Sequence, residues 1–453
     1  MKTIFTRIMI VTFILLHVSC AAYLCNNTVD KGPAINEVER PLSDEEIYEM
    51  SIKQNGSQKN KNDGAPAVTE IQNPMSDIER QKSQLISKKE VKQEYGEVYF
   101  AFLDNTLYLS GIELGNDFEI KGKVSKKDNE IIVPWNSIGV DENRITKVTI
   151  MNEIHPSPSL CIFAGLNNLL EIENLEFYKL NGWNSLQDFF HNCKSLKTID
   201  LDKLDTKGIE DWSYMFDGCT SLESINLTSV DMSNAVDLSH MFNNCSSLKV
   251  IALKNDMLKK VKTIHKMFSD CVSLEKIDLS TWFFNSLEDA SQVFSNCKNL
   301  IYVNLNNPTT VNLKDMSYMF NDCVKLEKVD MKSLDIRNIS DVRGMFTNTD
   351  CISEIEFNHI ELNNINIYAD DMYNGCKNLK KPDIYVLKNS LSLKRVFNNC
   401  PNVEEVDASM IASYNGAIDI LGFSGMSKLN KIVLKRGQRI DNGLLASKVL
   451  YVD

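Results

Sequence analysis

Six cysteines recur at an unbroken interval of 26 residues: Cys193, Cys219, Cys245, Cys271, Cys297 and Cys323. A chain that repeats itself on a beat of this length is bound to build a stack, because no single unit can bury its apolar face except against its neighbours. With the cysteine as position zero, the third residue on is Leu196, Leu222, Leu248, Leu274, Leu300 or Leu326. The sixth is Ile199, Ile225, Ile251, Ile277, Val303 or Val329, and the eighth is Leu201, Leu227, Leu253, Leu279, Leu305 or Met331. The last two columns alternate at period two, so they point inward from a short strand and the residues between them point outward.

The preceding half of each unit carries Phe190, Phe216, Phe242, Phe268, Phe294 and Phe320 three residues before the cysteine. Apolar residues such as Leu238, Met241 and Phe242 sit there at helical spacing, which predicts a short helix on the outer side of each coil. The pattern continues to both sides. Phe163 and Leu166 open it, Thr349 takes the cysteine slot after Phe346, Cys376 and Cys400 return to it, and Met426 fills it last. This makes about eleven coils from Cys161 to Leu434, a stack about 50 Å long at strand spacing.

The MFxxCxSLxxIDLS rhythm resembles the BspA-like leucine-rich repeat proteins, surface-exposed or secreted proteins of host-associated bacteria and some protists. The lead-in is similar too: Val133-Pro134-Trp135, then Arg144 to Val148, then FAGLNNLLEIENLEF. The resemblance runs from Tyr95 to Leu434. It implies adhesion and binding of host proteins, without catalysis. Thr349, Pro382 in a strand column and Ala408 in place of leucine depart from the pattern and put coil geometry near the C-terminal end in question. The expected fold class is therefore α/β: a leucine-rich repeat solenoid with a parallel sheet on its concave face, short helices outside and a small β-rich N-terminal cap.

The expected organisation has five parts. Residues 1–20 read as an export signal, with Lys2 and Arg7 ahead of an apolar run from Ile8 to Leu16. Val18-Ser19-Cys20 looks like a bacterial lipobox, which would make Cys20 a lipidation site. Plain secretion with cleavage near Ala21 is the alternative. Residues 21–94 are polar and read as a disordered stalk. Residues 95–160 read as a β-rich cap. The hairpin turns at Asp104-Asn105, further strands are expected at Glu119–Gly122 and Glu130–Val133, and Ile145–Met151 is the strand that docks on the array. Residues 161–435 form the array, and residues 436–453 a C-terminal tail or cap.

Export would permit disulfides, but the cysteine column also accepts Leu166 and Met426, so it reads as an apolar slot of free thiols. The short Cys-x-x-Cys pairs that zinc requires are missing from the sequence. His17, His155, His191, His240, His265 and His359 share no column, and no phosphate loop, nucleophile elbow or paired carboxylates stand out. The chain is expected not to be an enzyme and to need no cofactor or metal. A net charge of −12 argues against a nucleic-acid partner.

What remains is binding through the outward strand positions. The seventh position after the cysteine reads Asp200, Asn226, Ala252, Asp278, Asn304, Asp330 and Glu356. The fifth reads Thr198, Ser224, Val250, Lys276, Tyr302, Lys328 and Glu354. The first row, with Tyr302, is the candidate site: Asp200, Asn226, Asp278, Tyr302, Asn304, Asp330 and Glu356. Trp282 shares a column with Leu204, Val230 and Leu334 and is expected in the core. Two functions fit. One is an extracellular monomer, adhesin-type, that meets host or matrix proteins through the concave sheet. The other is a structural or immune-shielding surface protein with no single dedicated ligand.

Overall fold

The computed structural model describes residues 98–112, 120–124, 140–156, 162–254, 257–363, 366–411, 421–441 and 443–452. The expected export signal with Cys20, the stalk and the strand at Glu130–Val133 lie outside the described residues.

Strands β1 (Val98–Leu103) and β2 (Thr106–Ser110) form the expected hairpin. Asp104 and Asn105 both take positive φ, 48° and 60°, as a two-residue turn matched to strand twist requires. β3 (Ile120–Val124) pairs antiparallel with β1, and β2 pairs parallel with β4 (Lys147–Ile150). β4 in turn pairs with β5 (Glu171–Glu173), which carries Ile172 from the first repeat. The N-terminal sheet thus runs into the array without a break in its ladder.

Beyond it the strands are short and parallel. β6 (Ser224–Leu227) pairs with β7 (Val250–Leu253). β8 (Lys276–Asp278), β9 (Tyr302–Asn304) and β10 (Lys328–Asp330) form a three-stranded sheet, all in the register the 26-residue beat demands. β11 (Ile367–Tyr368) pairs with β12 (Ser390–Ser392). β13 (Glu405–Asp407), β14 (Lys431–Lys435) and β15 (Val449–Val452) form another three-stranded sheet. No strand pairing joins β7 to β8, and Ile251, Leu253 and Ile277 are only partly buried there.

Among the described residues the expected outer helices are absent. Among the described residues of the array, helical structure is limited to 3-10 turns at Leu175–Phe177 and Tyr385–Asn389. One four-residue α-helix, α1, follows at Gly443–Ala446. The reason lies one residue before the cysteine, in a column of Asn192, Gly218, Asn244, Asp270, Asn296, Asp322, Asn348, Gly375, Asn399 and Gly425. All have φ between 57° and 80°. A left-handed residue stops a helix, and asparagine, aspartate and glycine tolerate that conformation best. A second left-handed column lies four residues earlier, with Tyr214, His240, Lys266, Gln292 and Tyr318. At Gly218 a Cβ would lie 2.3 Å from the Asn192 side-chain oxygen, so a larger residue there would make the Asn192 side chain turn aside.

The amides that a helix would use internally divide into two sets. The N–H groups of His240, Phe242 and Asn244 donate to the carbonyls of His265, Met267 and Ser269 on the next coil, at 2.8, 3.0 and 2.8 Å. Those of Met241, Asn243 and Cys245 close local turns onto Leu238, His240 and Phe242. The other coils repeat this alternation.

Inside, the phenylalanine column stacks ring on ring. From Phe190 through Phe216, Phe242, Phe268, Phe294, Phe320, Phe346 and Tyr373 to Phe397, neighbouring centroids lie 5.3–5.8 Å apart. The planes are within 19° of parallel. Trp282 is buried against Phe268 and Phe284, while its neighbour Phe283 is exposed.

The cysteines of the column are free and buried. The slot does more than fill space. Cys219, Cys245, Cys271, Cys297 and Cys323 each donate S–H to the carbonyl of the phenylalanine on the preceding coil, at 3.0–3.1 Å. Thr349 makes the same bond through its hydroxyl, to Phe320 at 3.0 Å. Burial pushes these thiols up, Cys219 to about 12, so they are protonated and poor nucleophiles at neutral pH.

Cys271→Thr is therefore expected to keep near-native stability. Cys271→Val, of the same shape but without a donor, should lose about 0.5–1 kcal/mol in urea titration. Phe268→Ala should lose about 3–5 kcal/mol, because two ring contacts go with it. Alkylating reagent should leave the column thiols unlabelled until denaturant is added.

Candidate partner-binding surface

Parallel register places residues 26 apart in sequence side by side on the sheet. Asp278, Asn304 and Asp330 form one continuous row across β8, β9 and β10, with Lys276, Tyr302 and Lys328 as the row beside it. Asn304 donates its side-chain N–H to Asp278 at 3.1 Å. Tyr302 does not stand free. Its hydroxyl donates to Asp330 Oδ2 at 2.6 Å, and Lys328 Nζ lies 3.0 Å from Asp330 Oδ1 and 5.6 Å from the Tyr302 ring centre. Burial works to raise the Asp330 carboxyl, but the hydrogen bonds from Tyr302 and Lys328 outweigh it and hold the group below its ordinary value. Burial and the Asp330 charge push the Tyr302 phenol upward, so it remains a donor.

The other candidates fall outside this patch. Asn226 lies on β6, in the separate two-stranded sheet, and accepts from the Thr228 N–H and hydroxyl at 3.1 and 2.8 Å. Asp200 is exposed, outside the named strands, and takes the Asp202 N–H at 2.9 Å. Glu356 is exposed and paired with Lys332 at 2.8 Å, next to the bridge between Met331 and Phe357 that extends the ladder. Cys20 lies outside the described residues.

A second row escaped the sequence reading. Eight residues before each cysteine stand Ser185, Asp211, Asp237, Thr263, Asp289, Asp315 and Asp341, joined in one chain of parallel bridges. Each accepts the N–H two residues on, for example Ser213 at 2.9 Å, Ser291 at 2.8 Å and Ser317 at 2.7 Å. These side chains start the turns that replace the helices. A recurring Asp-x-Ser marks the row in the sequence, but the apolar residues after it have the spacing of a helix as well as of these turns. Burial lifts the Asp315 carboxyl above its usual range despite the bonds from Ser317, and Asp341 and Asp289 on the flanking coils add to the rise.

Among the described residues no group of three or more His, Cys, Asp or Glu side chains is placed to hold a metal ion. No helix among them is long and apolar enough to cross a membrane.

Three overlapping stretches, residues 184–305, 262–386 and 298–409, match the family described as "Mycoplasma protein of unknown function, DUF285". Over those residues the chain is similar to that family. Together the matched stretches run over residues 184–409, which include β6 to β13. Two solved structures are similar to the chain at low identity. A leucine-rich repeat protein from Bacteroides ovatus has 14% identity, covering 80% of this chain and 100% of its own, with a TM-score of 0.39. The Toll–Spatzle complex of Drosophila has 13% identity, covering 68% of this chain and 51% of that one, with a TM-score of 0.17. No curated protein matches the chain.

Asp315 gives a pH test. Its folded pKa is raised, so the ionised carboxylate works against the native state at neutral pH, and that penalty fades as pH falls through the raised pKa. Asp315→Asn keeps an acceptor for Ser317 and removes the charge. It should raise the thermal midpoint at pH 7, and the gain should vanish at acid pH, where Asp315 itself is neutral.

Proposed function

We propose that this chain is an exported, surface-exposed protein whose array, read as about eleven leucine-rich coils closing a solenoid, binds protein partners of the adhesin type. The observation that carries the reading is the patch on β8, β9 and β10. Three strands in register present Asp278, Asn304 and Asp330 beside Lys276, Tyr302 and Lys328, with the lysines and Asp278 exposed and Tyr302, Asn304 and Asp330 half-buried. A rigid surface with alternating charge and one tethered aromatic ring favours a protein partner over a small molecule, which would need a pocket. Residues 1–20 would direct export. Cys20 would then carry lipid, or the chain would be released.

The outward residues already satisfy one another: Asp278 with Asn304, Asp330 with Tyr302, Glu356 with Lys332. This favours a second reading, a shielding surface protein without a dedicated ligand. Surface plasmon resonance of the full chain against extracellular matrix and plasma proteins separates the two. The first reading expects saturable binding to at least one of them, weakened tenfold or more by Tyr302→Ala combined with Asp330→Ala. No binding across the panel supports the second reading and sinks the first. Labelling with a fatty acid, compared with Cys20→Ala, decides the anchor: lipid retained in the variant excludes Cys20.

A further inference from the structure

We propose that the coil ending at Cys271 carries a separate binding site, a stripe of lysines (Lys254, Lys259, Lys260, Lys262 and Lys266) that holds one chain of a sulfated polysaccharide. This goes beyond the partner binding above and does not rest on it.

The whole chain has a net charge of −12, yet between Asp237 and Asp270 it holds six lysines and one acid, Asp256. The coil before, residues 212–237, has four acids and no lysine or arginine. The coil after, residues 271–296, has four acids and one lysine. The fold draws the positive charges into a line. Lys254 follows β7, Lys259, Lys260 and Lys262 stand on the flank between strand and turns, and Lys266 lies among the turns. The first four are exposed and Lys266 is half-buried. Lysines of other coils are paired across the 26-residue interval or close to it: Lys203 with Glu176 at 3.1 Å, Lys314 with Glu288 at 2.6 Å and Lys377 with Asp350 at 2.7 Å. Among the described residues Lys254, Lys262 and Lys266 have no such carboxylate, and the Lys260 ammonium donates to the neutral Asn234 Oδ1 at 2.7 Å. Like charges gathered without counter-charges make a local positive potential in an acidic molecule.

The shape of the stripe selects its ligand. It is one coil wide, about 5 Å at strand spacing, and it bends from the end of β7 across the flank into the turns. The Lys262 N–H donates to the Val236 carbonyl and the Lys262 carbonyl accepts from the Glu288 N–H, both at 2.8 Å, so the two acidic coils are its immediate neighbours. Asp231 and Asp237 border it on one side, Glu288 and Asp289 on the other, all half-buried. An anionic bilayer or a nucleic-acid duplex would press on these carboxylates too. A globular partner, covering about 800 Å² a side, would do the same. A single linear chain meets the lysines alone. A nucleic-acid strand needs a run of exposed rings on which its bases stack, and the phenylalanine of this coil, Phe268, is buried. Sulfate esters need only cations spaced along a line, and lysine supplies a point charge with three donors. Burial holds His240 and His265 below the usual histidine range, and Lys266 beside them pushes the same way. At neutral pH the charge of the stripe is therefore that of its lysines.

Isothermal titration of the full chain with a heparin oligosaccharide in physiological salt is expected to show saturable binding. Its log–log salt slope should be about −3, as roughly four or five engaged lysines give. Lys260→Ser with Lys262→Ser should weaken binding about tenfold or more and flatten the slope to about −2. Lys194→Ser with Lys325→Ser changes the net charge equally at exposed sites elsewhere and should alter neither. Tyr302→Ala with Asp330→Ala should also leave heparin binding intact, which separates this site from the strand patch. Should the stripe variant fail to fold, acetylation of the wild type reads the contact directly: heparin should protect Lys254 and Lys262 and leave the exposed Lys298 reactive. Absence of saturable binding overturns the proposal. So do equal losses in the stripe and control variants, or a heparin-bound chain whose Lys254 and Lys262 stay reactive. Oligo-dT, poly-glutamate or phosphatidylserine vesicles that bind the stripe as tightly as heparin overturn it as well, because a sulfated chain is then not what the stripe selects.

Discussion

The division of backbone amides between two directions underlies everything else in the array. In the turn half of each coil, one N–H closes a local turn and the next reaches the carbonyl of the following coil. A helix would spend all its amides within itself and meet its neighbours only through side chains. Here the backbone stitches coil to coil on the side away from the strands as well as along them. Spacing between coils is thereby set at two places on the circumference, and the side chains between must fit what the backbone allows.

Identical residues in identical columns are the simplest way to fit. The phenylalanine rings lie nearly parallel because each sits on the same backbone position one coil away, held at the offset that aromatic pairs prefer. The cysteine column follows the same logic with a polar addition. A carbonyl that already receives the amide three residues on takes a second, weak donor from the next coil. Threonine can stand in at position 349 because its hydroxyl reaches the same oxygen, although an unpaired hydroxyl would be costly in this interior. On the surface, pairs such as Glu288 with Lys314 and Glu405 with Lys431 repeat the interval again. Exposed as they are, they add little stability individually.

The strand face depends on this frame more than it contributes to it. Where the ladder lapses between β7 and β8, the phenylalanine stack and the turn bridges continue unbroken from Phe242 to Phe268 and from Asp237 to Thr263. The sequence of that coil places Asp256 in the column of Leu204, Val230 and Trp282, an apolar position elsewhere. A surface carried on so short a set of strands can change its outward residues freely, since the inward ones and the turns hold the shape. That freedom suits a binding face.

The 26-residue beat by itself determined which residues share a column, and hence the core, the parallel register and the outward rows in which Asp278, Asn304 and Asp330 would meet. It also determined the hairpin at Asp104-Asn105, since that pair is a local signal read within a few residues. It did not determine the helix-free outer half. Apolar spacing after Asp237 is the same for a helix and for a run of turns, and the choice is made by hydrogen bonds to a coil 26 residues away, which a local reading cannot see. The fate of Tyr302 was also hidden. Its ring lies on an outward position, but only the stacked coils bring Asp330 within 2.6 Å of its hydroxyl. Periodicity alone names the neighbours; packing in three dimensions decides which of them bond.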